Sequence, residues 1–390
     1  MENFDFYSPT YFSFGKESEA NIGNLVKRFG GSKVLLHYGG GSVKKNGVYD
    51  AAVSSLSAAG IPFVELGGVK PNPRSGLVYE GIELCRRNNV DFVLAIGGGS
   101  AIDSAKAIAL GVPYEGDFWD FYANPITVEK ALPVGTVLTI AAAGSEGSPD
   151  TVITQEKGML KWGAHGDVLR PKFSILNPQF TESLDAYQTA AGITDIMAHL
   201  FERYFTNTPD VETTDCMIEG LLRALVAEAP RVIANLSDYQ ARANIMWAGM
   251  VAHNNICGVG RRQDWASHEI EHLLSSMFDV THGAGLAVVF PAWMQYVVKH
   301  DTARFARLSS VVWGCDINGA SPLETAMEGI ERFKKFLVSI GMPLTLREMG
   351  IQESDIGKLA DHPKMGGKAS VGGFVSLDKN DVAAILRLAL

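Results

Sequence analysis

The chain has 390 residues, of which 46% are hydrophobic and 20% charged, with a formal net charge of −9. Two to three times the usual domain length predicts two domains with separate cores, and an acidic balance without concentrated basic patches argues against a nucleic-acid or anionic-membrane surface. The N-terminal MENFDFYSPT lacks a basic region followed by an apolar run, and the long uncharged stretch that takes in Thr281 to Val298 contains Pro291 and falls short of the roughly 20 residues a membrane span needs. A cytoplasmic protein with small-molecule partners is expected. Cys85, Cys216, Cys257 and Cys315 are scattered without a CxxC pair, so neither a disulfide framework nor a thiolate zinc site is indicated, and any metal must take nitrogen and oxygen ligands.

Along the first ~180 residues, short apolar runs alternate with helical patterns: KVLLHY then VYDAAVSSLSAAG, IPFVELG then LVYEGIELCRRN, DFVLAIGGG then AIDSAKAIAL. That alternation predicts a parallel sheet wrapped by helices. Two strand-to-helix turns read Gly-Gly-Gly-Ser, Gly39 to Ser42 and Gly97 to Ser100. Missing side chains there let backbone N–H groups approach a phosphate at a helix N-terminus, although any sharp turn of this kind needs glycine. Ser100 and Asp103 also form an S-x-x-D capping-box pattern, a structural alternative to placing Asp103 against the ribose or nicotinamide side of a dinucleotide. A third turn, Thr139 to Glu146, follows PVGTVL; its small residues leave room for a planar ligand, and an ordinary packing loop is the plainer reading. Phe118, Trp119 and Phe121 can line a cleft or fill a core.

In ILNPQFTES, Asn177-Pro178 stops a strand and Thr181 or Ser183 can cap the next helix. The boundary therefore falls near 182, giving a dinucleotide-binding α/β domain over residues 1–182 and an all-helical domain over 183–390. In the second, TTDCMIEGLLRALVAEAPRVIANL, PLETAMEGIERFKKFLVSIG and the capped C-terminal GGFVSLDKNDVAAILRLAL read as helices.

The helical half carries ligand-type side chains at helical spacing. Asp195 and His199 stand four residues apart, as do His268 and His272, so each pair can aim two donors at one point. Nine histidines spread evenly over the chain would put about a third of one in a fifteen-residue window, against three from His268 to His282. Together these five residues suggest a bound metal ion.

These segments resemble those of the iron-containing, or group III, alcohol dehydrogenases, in the butanol dehydrogenase and aldehyde reductase branch. The resemblance runs nearly end to end, through NFDFYSPTYFSFGKE, GGGSAIDSAK, TIAAAGSE, ILNPQFT, GITDIMAHLFERYF and DWASHEIEHLLSSMFDVTHGAGLAVVFPAWM. It implies a dehydroquinate-synthase-like fold, an N-terminal dinucleotide-binding domain and a C-terminal helical domain with the active site in the cleft between them, and at least a homodimer. Carried over residue by residue, Asp195, His199, His268 and His282 would hold Fe²⁺, with Zn²⁺ the other candidate. His272 would pass a proton at the substrate or support the ligands. The nucleotide would lie along Gly39, Gly40, Ser42, Gly97, Gly98, Ser100, Asp103, Thr139 and Lys161, the last of which would otherwise read as a surface lysine.

Two departures bear on the cofactor. The family commonly has threonine where this chain has Ala143, which removes one hydroxyl. NAD-preferring relatives carry Asp at the end of the first strand, where this chain has Gly39 followed by Ser42, Lys44 and Lys45, a set suited to a 2′-phosphate. NADP(H) is therefore expected. A plain dinucleotide-fold reading points the other way, since Glu65 ends the next strand a little over twenty residues after the glycines, where an acid usually meets the ribose 2′-hydroxyl. The resemblance implies hydride transfer between the dinucleotide and a small alcohol or aldehyde such as butanol or butanal. Glycerol dehydrogenase chemistry on the same fold, and a non-catalytic metal- or nucleotide-binding sensor, are the rival readings.

Overall fold

The computed structural model describes residues 1–317, 321–362 and 370–390. By internal packing the chain forms two compact units: Tyr7–Leu184 with Ser237–Asn254, and Met1–Phe6 with Asp185–Leu236 and Asn255–Leu390. A single cut in the sequence does not express this, because the segment Ser237–Asn254 belongs with the first unit.

The first unit is built on a six-stranded parallel sheet. Its strands β1 (Tyr11–Phe14), β2 (Val34–Tyr38), β3 (Phe63–Leu66), β4 (Phe92–Gly97), β5 (Val134–Leu138) and β8 (Phe173–Leu176) lie in the order β1-β8-β5-β4-β2-β3, and β6 (Asp150–Gln155) pairs with β7 (Leu160–His165) as a separate antiparallel hairpin. Strands β2, β4, β5 and β8 are buried at every position, as expected of a parallel sheet covered on both faces. Alternation divides their side chains between two cores. Val34, Leu36, Leu94, Ile96 and Val137 pack with Ile22, Val26 and Leu56 on one face, while Leu35, Val93, Ala95 and Leu138 pack with Ile82, Ile102, Ile108 and Phe118 on the other. Phe118 and Phe121 are thus core residues, with Trp119 packed against them and stacked on Trp162.

The covering helices are α1 (Ile22–Arg28), α2 (Ser42–Lys45), α3 (Val48–Ala58), α4 (Ser75–Asn88), α5 (Gly99–Gly111) and α6 (Asp120–Ala123). Helix α5 begins from Gly98 with no side-chain cap, so the Ser100–Asp103 capping box does not form. The Asp103 carboxylate is engaged elsewhere.

The second unit is helical among the described residues, apart from one isolated bridge between Val371 and Leu377. Numbered in chain order, its helices are α7 (Ala186–Tyr204), α8 (Glu212–Ala234), α10 (Ala266–Phe278), α11 (His282–Val297), α12 (Thr302–Trp313), α13 (Pro322–Ser339), α14 (Glu353–Ala360) and α15 (Lys379–Leu388); α9 (Tyr239–His253) lies in the first unit. Asp185, rather than Thr181 or Ser183, caps α7, its side chain accepting from the Gln188 N–H. Helix α7 is buried without interruption from Thr189 to Tyr204, which makes it the central helix of the unit. Phe201 and Phe205 pack with Phe290, Trp293 and Phe305 into an aromatic core. No helix among the described residues is long and apolar enough to cross a membrane.

Candidate functional site

Helix α7 presents Asp195, His199 and Glu202 at positions i, i+4 and i+7, one face of the helix. Helix α10 presents His268, Glu271 and His272, and His282 is the first residue of α11. Asp195 Oδ1 is the point on which they converge: it lies 3.5 Å from His199 Nδ1, 3.8 Å from His268 Nε2 and 3.6 Å from His282 Nε2. Donor atoms of Asp195, His268 and His282 all fall within 4.8 Å of one another. The side chains expected from sequence to share a metal are therefore brought together. His272, its ring 5.5 Å from that of His282, groups with Glu271 and His282.

Sequence reading missed the carboxylates behind the imidazoles. Glu202 Oε1 lies 2.8 Å from His268 Nδ1, and Glu271 Oε2 contacts His282 Nδ1. Both carboxylates are fully buried. Each holds its imidazole by Nδ1 and so turns Nε2 toward Asp195, the second-sphere arrangement typical of metal-bound histidine. Glu202 Oε2 also accepts the Trp265 N–H at 2.6 Å, and Trp265 is held in a left-handed backbone conformation (φ 69°) where α10 begins. His268 Nε2 is buried and makes no hydrogen bond. Burial opposes charge on this ring, but Asp195 and Glu202 outweigh it and raise its pKa to about 9. The pocket thus favours positive charge at the point where three helices meet, and an oxygen and nitrogen donor set fits a divalent ion there.

In the first unit, the two glycine turns follow strands that are sheet neighbours. Tyr38 at the end of β2 is in register with Ile96 of β4, so Gly39, Gly40 and Ser42 lie beside Gly97, Gly98 and Ser100 at the carboxyl ends of the strands, where open α/β sheets bind ligands. Thr139 continues the row after β5, donating its N–H to the Gly97 carbonyl at 3.0 Å. Added Cβ atoms at Gly40 or Gly41 would meet nothing within 4 Å, and neither residue has the backbone conformation that favours glycine. Packing within the chain therefore does not demand these glycines, whereas close approach of a ligand would. Gly98 differs, since a Cβ there would press on Ile140 at 3.0 Å.

Asp103 does not face open space. Its carboxylate accepts from Ser145 Oγ at 2.6 Å and from the Val152 N–H at 3.0 Å, clamping the loop that leads into β6. Lys106, a turn further along α5 and also missed in the sequence, is fully buried and donates to the carbonyls of Ser145, Ser148 and Asp150 at 2.7–2.9 Å. Burial lowers its pKa to about 8, with Asp103 acting against that loss of charge. Lys161 is not a surface lysine: it is buried on β7 and donates to Asn72 Oδ1 at 2.9 Å. Ion-pairing also bears on Lys44, whose ammonium lies 3.5 Å from Glu65 Oε2.

The iron-containing alcohol dehydrogenase model matches residues 9–178, and the C-terminal model of the Fe-containing alcohol dehydrogenase family matches residues 189–390. The NADH-dependent butanol dehydrogenase A of Clostridium acetobutylicum is 42% identical over 388 residues, 99% of each chain. An NADPH-dependent aldehyde reductase of Escherichia coli is 34% identical over 378 residues, 95% of each chain. The crystal structure of NADH-dependent butanol dehydrogenase A from Thermotoga maritima superposes with a TM-score of 0.96 at 43% identity, covering 100% of this chain and 99% of that one. The sheet-and-helix first unit, the helical second unit and these matches agree: the chain has the dehydroquinate-synthase-like fold and belongs to the iron-containing alcohol dehydrogenase family, in its butanol dehydrogenase branch.

Proposed function

We propose that the protein moves a hydride between NAD(H) and a small primary alcohol or aldehyde such as butanol or butanal, with Asp195, His199, His268 and His282 holding Fe²⁺. The observation that carries this reading is the convergence of three imidazole nitrogens on Asp195 Oδ1 at 3.5–3.8 Å. When bound, the ion supplies Lewis acidity toward the substrate oxygen. Glu202 and Glu271 hold His268 and His282 in the tautomer that frees Nε2. His272, half-buried and near His282, is assigned the proton that the alcohol oxygen loses or the aldehyde oxygen gains. The Gly39–Ser42 and Gly97–Ser100 turns carry the dinucleotide, with Thr139 and Lys161 further along it, while Asp103 holds the loop beside it.

NAD(H) replaces the NADP(H) expected from Gly39 and its basic neighbours. That expectation rested on Gly39, Ser42, Lys44 and Lys45 together, of which Lys44 is paired with Glu65, and the similar butanol dehydrogenases named above are NADH-dependent. The same donor set suits Zn²⁺, so activity is measured after reconstitution of metal-free protein with each ion. Fe²⁺-loaded protein should oxidise NADH when butanal is added, and His268→Ala should abolish this. Full activity of metal-replete His268→Ala would refute the metal assignment.

A further inference from the structure

Beside the Gly39–Ser42 turn, four side chains form a closed cluster. The Tyr38 hydroxyl donates to Glu65 Oε2 at 2.8 Å, the Tyr49 hydroxyl donates to Oε1 at 2.5 Å, and Lys44 Nζ lies 3.5 Å from Oε2. The same ammonium sits over the Tyr49 and Tyr38 rings, 4.4 and 5.0 Å from their centroids. The backbone fastens the arrangement: the Gly68 N–H donates to the Gly39 carbonyl at 2.8 Å and the Val69 N–H to the Tyr38 carbonyl at 3.3 Å. The Tyr49 hydrogen bond, with lesser help from Tyr38 and Lys44, holds the Glu65 carboxyl below the usual carboxylate range. Glu65 is thus a fixed negative charge at the carboxyl end of β3, the strand next to β2 in the sheet.

A 2′-phosphate adds close to two negative charges to a dinucleotide. At this turn it would meet the Glu65 carboxylate and a lysine whose charge is already matched. We propose that Glu65 determines cofactor choice: it keeps Lys44 engaged and disfavours a 2′-phosphate, so that the dinucleotide with a free ribose 2′-hydroxyl is selected. Specificity of this kind comes from an unfavourable element set against the wrong ligand as much as from contacts to the right one. The inference rests on the reading above that the Gly39–Ser42 turn carries the dinucleotide, and places the adenosine ribose at this turn.

The test is binding of NAD⁺ and NADP⁺ to the full-length protein by isothermal titration, without turnover and at low ionic strength, where a partly exposed ion pair is least screened. Glu65→Gln should shift the NADP⁺-to-NAD⁺ affinity ratio about tenfold toward NADP⁺. Lys44→Gln in the wild-type background should leave the ratio within about twofold, and adding it to Glu65→Gln should remove most of the gain. Lys45 is present in every variant and cancels from the comparison. Side chains of Lys44 and Glu65 are 48% and 37% exposed, so both variants should fold, which melting temperature checks. An unchanged ratio in Glu65→Gln overturns the proposal, as does a shift of more than about threefold toward NAD⁺ from Lys44→Gln alone, which would mean that the ammonium already serves a phosphate. Wild-type protein that binds neither dinucleotide would instead refute the nucleotide-binding reading, and this inference with it.

Discussion

Glu202 Oε1 meets His268 twice, 2.8 Å from Nδ1 and 2.9 Å from the backbone N–H that donates to it. One carboxylate oxygen thereby sets both the ring orientation and the start of the helix that carries the ring. Loss of such support typically costs 10–100-fold in metal affinity. Glu202→Gln is expected to weaken Fe²⁺ or Zn²⁺ binding by roughly that factor, read by competition with a chelator. Glu271→Gln should act similarly through His282. Unchanged affinity in both variants would show that the carboxylates only fill space.

Gly283 sets the approach of α11 to α7. A Cβ on Gly283 would lie 1.9 Å from the Ala191 carbonyl oxygen, on the same helix as Asp195. Gly283→Ala should therefore separate the helices, cost about 1–3 kcal/mol as overpacking does, and move His282 away from Asp195. Both stability to urea and metal affinity should fall. Gly220→Ala, at an exposed position of helix α8 with nothing within 4 Å of the added Cβ, is the control and should stabilise by about 0.5–1 kcal/mol. If Gly283→Ala melts like wild type, the close approach does not matter for stability.

His37 predicts a pH dependence of stability. It is fully buried on β2, with Nδ1 2.8 Å from the Leu66 carbonyl and Nε2 2.9 Å from Ser104 Oγ. Burial lowers its pKa from 6.5 to about 4, against the smaller opposing effect of the Leu66 bond. The unfolded chain therefore takes up this proton at a higher pH than the folded one. The stabilisation is intact above 6.5 and is lost progressively as pH falls toward 4. A shift of that size corresponds to about 3 kcal/mol. Urea denaturation between neutral and mildly acid pH should show that loss, and His37→Gln should flatten this part of the profile.

Lys106 holds three backbone carbonyls with one buried ammonium. Lys106→Met removes the charge that balances Asp103 and leaves the carbonyls without their donor. A loss of about 3–5 kcal/mol is expected, the usual result when one member of a buried charged set is deleted. Denaturation measured by near-ultraviolet circular dichroism checks this. A loss below about 1 kcal/mol would mean that the loop from Ser145 to Asp150 is held by other contacts.

Much of this arrangement was legible in the chain because it is local. Helices α3, α4, α8, α13 and α15 lie where apolar periodicity places them, and strands β2, β3, β4, β5 and β8 follow apolar runs, whereas β1 and the β6–β7 hairpin have no such signal. Asp195 and His199 share a face because any helix puts residues four apart on one side. The same rule misleads for His268 and His272. Both sit on α10 and both neighbour His282, but His268 groups with Asp195 and His272 with Glu271, and only the crossing of α7, α10 and α11 decides which partners each meets.

The charged residues show the same division. Glu202, Glu271 and Lys106 look like ordinary helix residues in the sequence, and Lys161 like a surface one; their roles come from burial beside distant segments. Lys44 and Glu65 lie 21 positions apart, and their pairing, which bears on the cofactor proposed above, shows only in the packed chain. By itself the sequence determined most element types, the inventory of ligand-type side chains and the family, because these follow from backbone periodicity, residue chemistry and motif. Which carboxylate holds which imidazole, which glycine permits contact and which lysine is already paired were decided only by tertiary structure, because burial and charge pairing arise when residues far apart in the chain are packed together.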